Sequence, residues 1–212
     1  MSEIQQKKTV LYEMHKEHGA KFTDFSGFLM PLNYQQGSLN EHIHTRSEVS
    51  FFDVSHMSQV ILTGTNFESL FEKVVPSDIK NLKNNCMRYT MFTNSNGGVI
   101  DDLMVTKRET GLHLVLNASR KEVDIEHLQS NFGNKINIKD LSGFSLFAIQ
   151  GPKSLEVLMR HCKDLKYLEF MQSTLVNILG IEIFVMRSGY TGEDGFEISV
   201  QNSHANDLAS IL

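Results

Sequence analysis

The chain has 212 residues, with 25 acidic against 20 basic side chains and a formal net charge of −5. This mild acidity argues against a nucleic-acid-binding protein, whose Lys and Arg side chains must neutralise phosphates. Hydrophobic residues make up 41% of the chain and charged residues 21%, which is ordinary globular usage and argues against wholesale disorder.

The sequence predicts a soluble protein of the cytoplasm. No uninterrupted apolar run exceeds four residues, whereas a bilayer-spanning helix needs roughly 20. The N-terminal segment Met1–Lys8 lacks the apolar core of a signal peptide and the Arg-rich composition of a transit peptide. Cys86 and Cys162 lie far apart, which favours reduced thiols over a disulfide framework. We therefore expect neither a membrane nor a nucleic acid as a partner.

The first predicted elements are two helices that flank an apolar loop. Lys7–His18 predicts a helix, and Gly19 supplies the left-handed residue that ends many helices. Asp24–Tyr34 is predicted to be a loop, although it is unusually apolar. Gln36–Glu48 is predicted to be the second helix.

Residues from Ser58 to about Lys139 predict a compact α+β unit. The turn residues Asn94–Gly98 separate two apolar segments, which is typical of a β-hairpin. Two capping boxes, in which a Ser or Thr precedes a Glu by three residues, predict helix starts at Thr65 and Ser119. The predicted elements are a strand at Ser58–Thr63, a helix from Thr65 to about Val75, strands at Tyr89–Thr93, Val99–Lys107 and Leu112–Asn117, a helix from Ser119 to near Gly133, and a last strand.

Strands resume after this unit. The predicted elements are strands at Ser145–Gln150, Ile181–Arg187 and Phe196–Val200, a helix near Pro152–His161 and a capped helix over Ser203–Leu212. The last helix presents an apolar face with nothing after it, so we expect the chain to be truncated on its C-terminal side.

Residue chemistry alone identifies no standard catalytic site. Nine histidines are present, but no pair of them has a third ligand at a zinc-site spacing, so we predict no metal site. The sequence contains no nucleophile elbow, no Walker A loop and no dinucleotide-binding glycine fingerprint.

Two stretches are nevertheless unusual, and the first is the pair Asp101 and Asp102 inside a predicted strand. Successive strand residues point to opposite faces, so one carboxylate must point to each side of the sheet. Burying a carboxylate among Ile, Met and Val is costly unless it is paired or functional. Two interpretations stay open: a functional carboxylate, or a structural one on an edge strand or held by backbone donors.

The second stretch, Gly189–Glu197, combines turn residues with Tyr190 and three acids. From residue chemistry alone, a tight hairpin with a solvated acidic tip is the favoured interpretation.

Seven segments of the sequence, which extend over nearly all of the chain, form an ordered set of motifs. The segments are 18–27 (HGAKFTDFSG), 30–32 (MPL), 52–57 (FDVSHM), 97–103 (GGVIDDL), 115–119 (VLNAS), 150–152 (QGP) and 187–197 (RSGYTGEDGFE). In this order they together resemble the T-protein (aminomethyltransferase) family of the glycine cleavage system.

The resemblance implies an enzyme, a tetrahydrofolate-dependent aminomethyltransferase. Its substrate would be the aminomethyl group on the lipoyl arm of the glycine cleavage H-protein, which is the implied partner. The methylene carbon would pass to tetrahydrofolate, the one-carbon acceptor, giving 5,10-methylenetetrahydrofolate, dihydrolipoyl H-protein and ammonia.

The resemblance also implies site residues. Asp102, the second Asp of the Gly-Gly-x-x-Asp-Asp-Leu strand, would be the catalytic residue and would lie against the pterin. The other folate-binding residues would be Tyr89, Asn117, Tyr190 and Glu197, with Met57 as an apolar wall of the pocket. An Asp there would stabilise positive charge on the pterin and orient its N5 and N10 protons.

By resemblance, the fold would be α+β, with two domains of antiparallel sheets and flanking helices, as in folate-binding T-proteins. Residues 1–55 plus 140–212 would form the first, discontinuous domain, and residues 56–139 an inserted domain. The missing part would carry arginines that help to bind folate, together with a C-terminal β-barrel domain. Three further hypotheses therefore stay open: an inactive fragment, a related tetrahydrofolate-dependent methyltransferase or demethylase, and a non-catalytic folate-binding module.

Overall fold

The computed structural model describes residues 6–212, which form two compact units. The segment Met1–Lys8 was expected to contain no targeting peptide, and its residues Met1–Gln5 lie outside the described residues. Unit 1 comprises the described residues up to His56 together with 143–170 and 174–212, and unit 2 comprises 57–142 and 171–173. No helix among the described residues is long and apolar enough to cross a bilayer.

Within residues 6–212 the chain forms six α-helices, twelve strands and a few short 3₁₀ turns. In chain order they are α1 (Tyr12–Glu17), β1 (Lys21–Phe25), β2 (Phe28–Asn33), α2 (Gly37–Ser47), β3 (Ser50–Asp53), β4 (Ser58–Gly64), α3 (Phe67–Phe71), β5 (Met87–Thr93), β6 (Val99–Arg108), β7 (Gly111–Leu116), α4 (Lys121–Phe132), β8 (Ile136–Asp140), β9 (Phe144–Gln150), α5 (Ser154–Met159), β10 (Ser173–Ile178), β11 (Ile181–Met186), β12 (Gly195–Gln201) and α6 (Ala205–Ile211).

Unit 1 contains a five-stranded sheet in the order β10-β11-β12-β9-β3. The pairings of β12 with β11 and β9, and of β3 with β9, are antiparallel. Its core includes the fully buried side chains of Phe147, Phe196 and Leu11, and Leu158 and Leu208 contribute from α5 and α6. Helices therefore flank this sheet, in agreement with the predicted α+β class. Neither β3 nor β10 was predicted.

The N-terminal part of unit 1 differs from the prediction. The first helix begins only at Tyr12, because Lys7 is hydrogen-bonded as a strand to Gly27 and Leu29 (2.9 and 2.8 Å). The predicted loop at Asp24–Tyr34 is wrong, since β1 and β2 form an antiparallel hairpin. Its turn residues Ser26 and Gly27 both have positive φ, 53° and 78°, as a two-residue type I′ hairpin requires.

Unit 2 contains the second five-stranded sheet, in the order β5-β6-β7-β4-β8, with every neighbouring pair antiparallel. Phe67 and Phe71 of α3 pack with Leu128 and Phe132 of α4 in the core on one face of this sheet. Local sequence reasoning succeeded for the β5–β6 hairpin and for β4, β7 and α4. The predicted class of antiparallel sheets with flanking helices is therefore confirmed.

The predicted capping boxes are wrong. α3 follows Asn66, which is left-handed (φ 57°), and α4 follows Arg120, and neither helix has a side-chain cap hydrogen bond. Glu68 instead forms a salt bridge with Lys107 (3.5 Å). α3 also ends at Phe71 and not near Val75.

A short return segment adds residues 171–173 to unit 2. Met87 N donates to Met171 O, and Ser173 N donates to Asn85 O, both at 2.7 Å. Cys86 forms a β-bridge with Gln172 between these two bonds. Backbone pairing far along the chain therefore assigns these residues to unit 2, whereas the sequence prediction put them in the discontinuous domain.

Candidate functional site

The two adjacent aspartates of β6 face opposite sides of the unit 2 sheet. Asp101 is 9% exposed. Because side chains alternate along a strand, it lies on the same face of the sheet as Leu103 and Val105, which pack in the core beneath the helices. Asp102 is half-buried and, by strand alternation, points to the other side. The edge-strand interpretation is wrong, because β6 lies between β5 and β7.

Asp102 is held by neutral donors. The Tyr89 hydroxyl donates to Asp102 Oδ2 (3.0 Å), and Asn117 Nδ2 donates to Asp102 Oδ1 (3.1 Å) and to the Asp102 carbonyl (3.1 Å). The hydrogen bond to Asp102 raises the pKa of the Tyr89 phenol. Within residues 6–212, no salt bridge involves the Asp102 carboxylate. Asp102 is thus oriented by neutral side chains.

The register of three neighbouring strands brings these side chains together. Met91 of β5 pairs with Asp102, so Tyr89 lies two residues further along β5 on the same face. Leu116 of β7 pairs with Leu103, and Asn117 follows directly. These pairings connect residues that are up to 28 positions apart in sequence, which no local pattern could have revealed.

Met57 lies directly before β4 and is half-buried. Ser58, the first residue of β4, pairs with Leu116. Extending that register by one residue sets Met57 opposite Asn117. The position is consistent with an apolar wall beside Asp102.

Sequence reasoning missed Asp124, a fully buried acid on α4. Asp124, Leu128 and Phe132 are the three buried residues of this helix and are spaced by four, so they form one stripe that faces the core. An acid within an otherwise apolar helical stripe was the available signal.

The stretch 187–197 belongs to unit 1 and does not form a solvated acidic tip. Asp194 accepts two hydrogen bonds from the Arg187 guanidinium, at 3.0 and 2.7 Å, and Glu193 forms a salt bridge with Arg46 (3.0 Å). The third acid, Glu197, is buried in β12 (6% exposed) and accepts a hydrogen bond from Ser188 Oγ (2.6 Å). The predicted solvated tip is therefore wrong.

Glu197 and Tyr190 have contrasting environments within unit 1. Burial raises the pKa of the Glu197 carboxyl, and the Ser188 hydrogen bond opposes this effect. Tyr190 is 70% exposed. A buried acceptor and an exposed aromatic ring are suited to a polar edge and a flat face of a ligand, respectively.

Gln150 explains the glycines of this stretch, which sequence reasoning did not connect with it. Its Nε2 donates to Ser188 O (2.9 Å), and its Oε1 accepts from Thr191 Oγ1 (2.9 Å). A Cβ on Gly189 or Gly195 would lie within 2.5 Å of the Gln150 side chain. Glycine is needed at both positions so that the loop can close around the amide.

A cavity of about 610 Å³ in unit 1 contains none of the predicted site residues. Its lining includes Tyr34, Asp53 and Arg46. His15 is hydrogen-bonded to Tyr34 Oη (2.7 Å) and to Asp53 Oδ2 (3.1 Å), and Arg46 is paired with Glu193. These three lining side chains are therefore hydrogen-bonded or ion-paired within unit 1.

The chain is similar to known proteins along its whole length. Residues 11–212 match the GCVT N-terminal domain family. The mitochondrial aminomethyltransferase of Dictyostelium discoideum is 40% identical over 97% of this chain and 54% of its own length. The aminomethyltransferase of Caldanaerobacter subterraneus subsp. tengcongensis is 40% identical over 95% of this chain and 55% of its own.

A solved structure agrees with these sequence matches. The glycine cleavage system aminomethyltransferase T from Bartonella henselae superposes with a TM-score of 0.88 at 37% identity, covering 98% of this chain and 57% of that one. The chain therefore spans about half the length of the relatives it matches. Together, the family match, the identities and the superposition show that this chain belongs to the GCVT N-terminal domain family.

Proposed function

We propose that this chain provides the folate-binding part of an aminomethyltransferase of the glycine cleavage system. The substrate would be the aminomethyl group carried by lipoylated H-protein, and the methylene carbon would pass to tetrahydrofolate with release of ammonia. The matched relatives are named aminomethyltransferases. The observation that carries the proposal is the Asp102 carboxylate, held by the neutral side chains of Tyr89 and Asn117.

Asp102 has the properties that this chemistry requires. Loss of ammonia from the aminomethyl thioether leaves an electron-poor methylene, and its attack by folate N5 develops positive charge on the pterin. A fixed carboxylate stabilises that charge and orients the N5 and N10 protons. Since Tyr89 and Asn117 already orient Asp102, little reorganisation is needed as the charge develops.

The remaining proposed roles concern binding. Tyr89 and Tyr190 would contact the flat pterin or aminobenzoyl rings, and Met57 would provide an apolar wall. Asn117 and Glu197 would hydrogen-bond to the polar edge of the pterin. The proposed roles of Tyr190 and Glu197 rest on the resemblance of segment 187–197. The proposed roles of Tyr89 and Asn117 rest also on their hydrogen bonds to Asp102.

A cytoplasmic location belongs to the same proposal. Cys86 and Cys162 are both free, as in reducing compartments. The Dictyostelium relative is named as mitochondrial, so cell fractionation with compartment markers is the relevant measurement. Recovery in the mitochondrial fraction would overturn this part of the proposal.

Calorimetric titration of tetrahydrofolate into the 212-residue chain, under reducing conditions, tests the binding role. We expect saturable binding that Tyr190→Ala weakens by about 10-fold, because an aromatic contact is lost. Tyr167→Ala is the matched control, since Tyr167 is also an exposed tyrosine of unit 1 (72% exposed). Equal weakening by both variants would contradict the role of Tyr190, and absence of binding by the folded wild-type chain would contradict the binding role of the chain.

An ammonia assay distinguishes the proposed activity from related folate functions. Tetrahydrofolate-dependent ammonia release from aminomethylated H-protein is expected of a glycine cleavage aminomethyltransferase. A related tetrahydrofolate methyltransferase would release no ammonia, and a non-catalytic folate-binding module would bind tetrahydrofolate without turnover.

A further inference from the structure

The carboxyl oxygens of Asp124, on α4 of unit 2, receive no donor from the described residues. The residue is fully buried. Within residues 6–212, neither Oδ1 nor Oδ2 accepts a hydrogen bond. An ionised carboxylate in such a position loses its hydration and gains no donors in return, which is strongly unfavourable. A protonated carboxyl group avoids this cost.

The neighbouring acid, Asp101, has one carboxylate oxygen that lacks a donor among the described residues. Asp101 Oδ1 accepts from Asn117 Nδ2 (3.1 Å), but Oδ2 is buried and has no donor among the described residues. Asp101 acts on Asp124 through a side-chain hydrogen bond and through its charge, and both effects raise the pKa of Asp124. A single proton on Asp124 would give Asp101 Oδ2 the donor that it lacks and would make one Asp124 oxygen a donor.

The charges around Asp124 favour the same arrangement. Asp101 and Asp102 approach from β6, and Arg120, at the start of α4, is the opposing cation. The Arg120 guanidinium donates to Ile100 O (3.1 Å). Three ionised carboxylates near one guanidinium repel one another, and the most buried of them is the one expected to keep a proton.

The other titratable groups near α4 do not offset this repulsion. Burial lowers the pKa of His127, so its ring is neutral at neutral pH. Lys121 is paired with Asp140 of β8 (2.6 Å), and Lys139 of β8 is exposed. Burial, followed by the hydrogen bond and charge of Asp101, raises the pKa of Asp124 to about 8, against the effect of Arg120.

We propose that Asp124 is a positioning residue, which shares one proton with Asp101 and thereby fixes the amide that orients Asp102. The Asn117 amide group donates to both Asp101 Oδ1 and Asp102 Oδ1. Anchoring Asp101 to α4 therefore determines where this amide lies and which way the Asp102 carboxylate points. The shared proton is inferred without any assumption about activity. Its effect on tetrahydrofolate binding rests on the proposed function.

Two substitutions in the 212-residue chain test this proposal. Asp124→Asn keeps the shape and an N–H donor for Asp101 but cannot carry the proton, and Asp124→Leu removes the donor as well. Asp164→Asn is the matched control, because Asp164 is an exposed Asp of unit 1. The first readout is the infrared C=O band of a protonated carboxyl group at neutral pH.

We expect a protonated-carboxyl band in the wild-type chain that is lost in Asp124→Asn and retained in Asp164→Asn. A contribution from Glu197, whose pKa is also raised, would remain in every variant and cancels from the difference spectra. A difference spectrum without the band would overturn the proposal. This readout needs no ligand and is obtained on Asp124→Asn even where Asp124→Leu fails to fold.

The second readout is tetrahydrofolate affinity. Asp124→Asn is expected to bind within about 3-fold of the wild type, whereas Asp124→Leu weakens binding by about 10-fold, because the buried Asp101 oxygen loses its donor. Equal weakening by both variants would overturn the positioning role. If the folded wild-type chain bound no tetrahydrofolate, the proposed function would fail, while the infrared band would still decide whether the proton is present.

Discussion

On the proposed function, Asp102→Asn is expected to slow tetrahydrofolate-dependent ammonia release from aminomethylated H-protein by about 10²–10³-fold. The substitution keeps the size of the side chain and removes the charge that would stabilise the cationic pterin. Its amide oxygen can still accept from Asn117 Nδ2, and its amide nitrogen can donate to the Tyr89 hydroxyl, so the substitution tests the charge of Asp102 with the orientation kept. The rate is measured with both substrates saturating.

The control for this prediction is Asp164→Asn, which removes a carboxylate from an exposed site and is expected to retain the wild-type rate. Circular dichroism and the unfolding midpoint establish that Asp102→Asn is folded, as expected for a half-buried position. Near-normal turnover in folded Asp102→Asn would show that the carboxylate is not catalytic.

The free energy of unfolding of the wild-type chain, relative to that of Asp124→Asn, is expected to fall as the pH rises from about 4 to about 8. The folded-state pKa of Asp124, about 8, lies above the ordinary Asp value of about 3.9. The folded chain therefore keeps a proton that the unfolded chain has released. The stability that this proton contributes is fully present below about pH 4 and is lost as the pH rises through about 8.

For one proton, this difference in free energy of unfolding is expected to change by about 1.4 kcal/mol per pH unit. The change accumulates to several kcal/mol between about pH 4 and about pH 8. Urea unfolding of both chains at a series of pH values measures it. Other titrating groups, including Glu197, are present in both chains and cancel from the difference. A stability difference that does not change with pH would show that Asp124 is ionised in the folded protein.

Much of the local structure was predictable because the signals are themselves local. The turn residues Asn94–Gly98 produce the β5–β6 hairpin, in which Asn94 Oδ1 accepts from the backbone of Asn96 (3.0 Å) and Gly98 (2.9 Å). Strand alternation likewise predicted that Asp101 and Asp102 face opposite sides. The role of Asp102 did not follow from these patterns and came from the resemblance of the whole set of motifs.

Two of the wrong predictions share a physical cause, which is competition from distant partners. Lys7 would extend a helix on local grounds, but it pairs with the hairpin that contains Gly27. Glu68 would complete a capping box, but its carboxylate is paired with Lys107 of β6. In each case a tertiary contact replaced the local one.

The sequence by itself determined the fold class and the family and singled out Asp102 as the candidate catalytic residue, because hydrophobic alternation, turn chemistry and ordered motifs are properties of the chain. The tertiary structure alone decided which groups surround Asp102. Tyr89 and Asn117 meet it through strand register, and Asp124 reaches Asp101 from α4, across the core face of the sheet. The environment of a carboxylate depends on burial and on neighbours distant in sequence, and these exist only once the chain has folded.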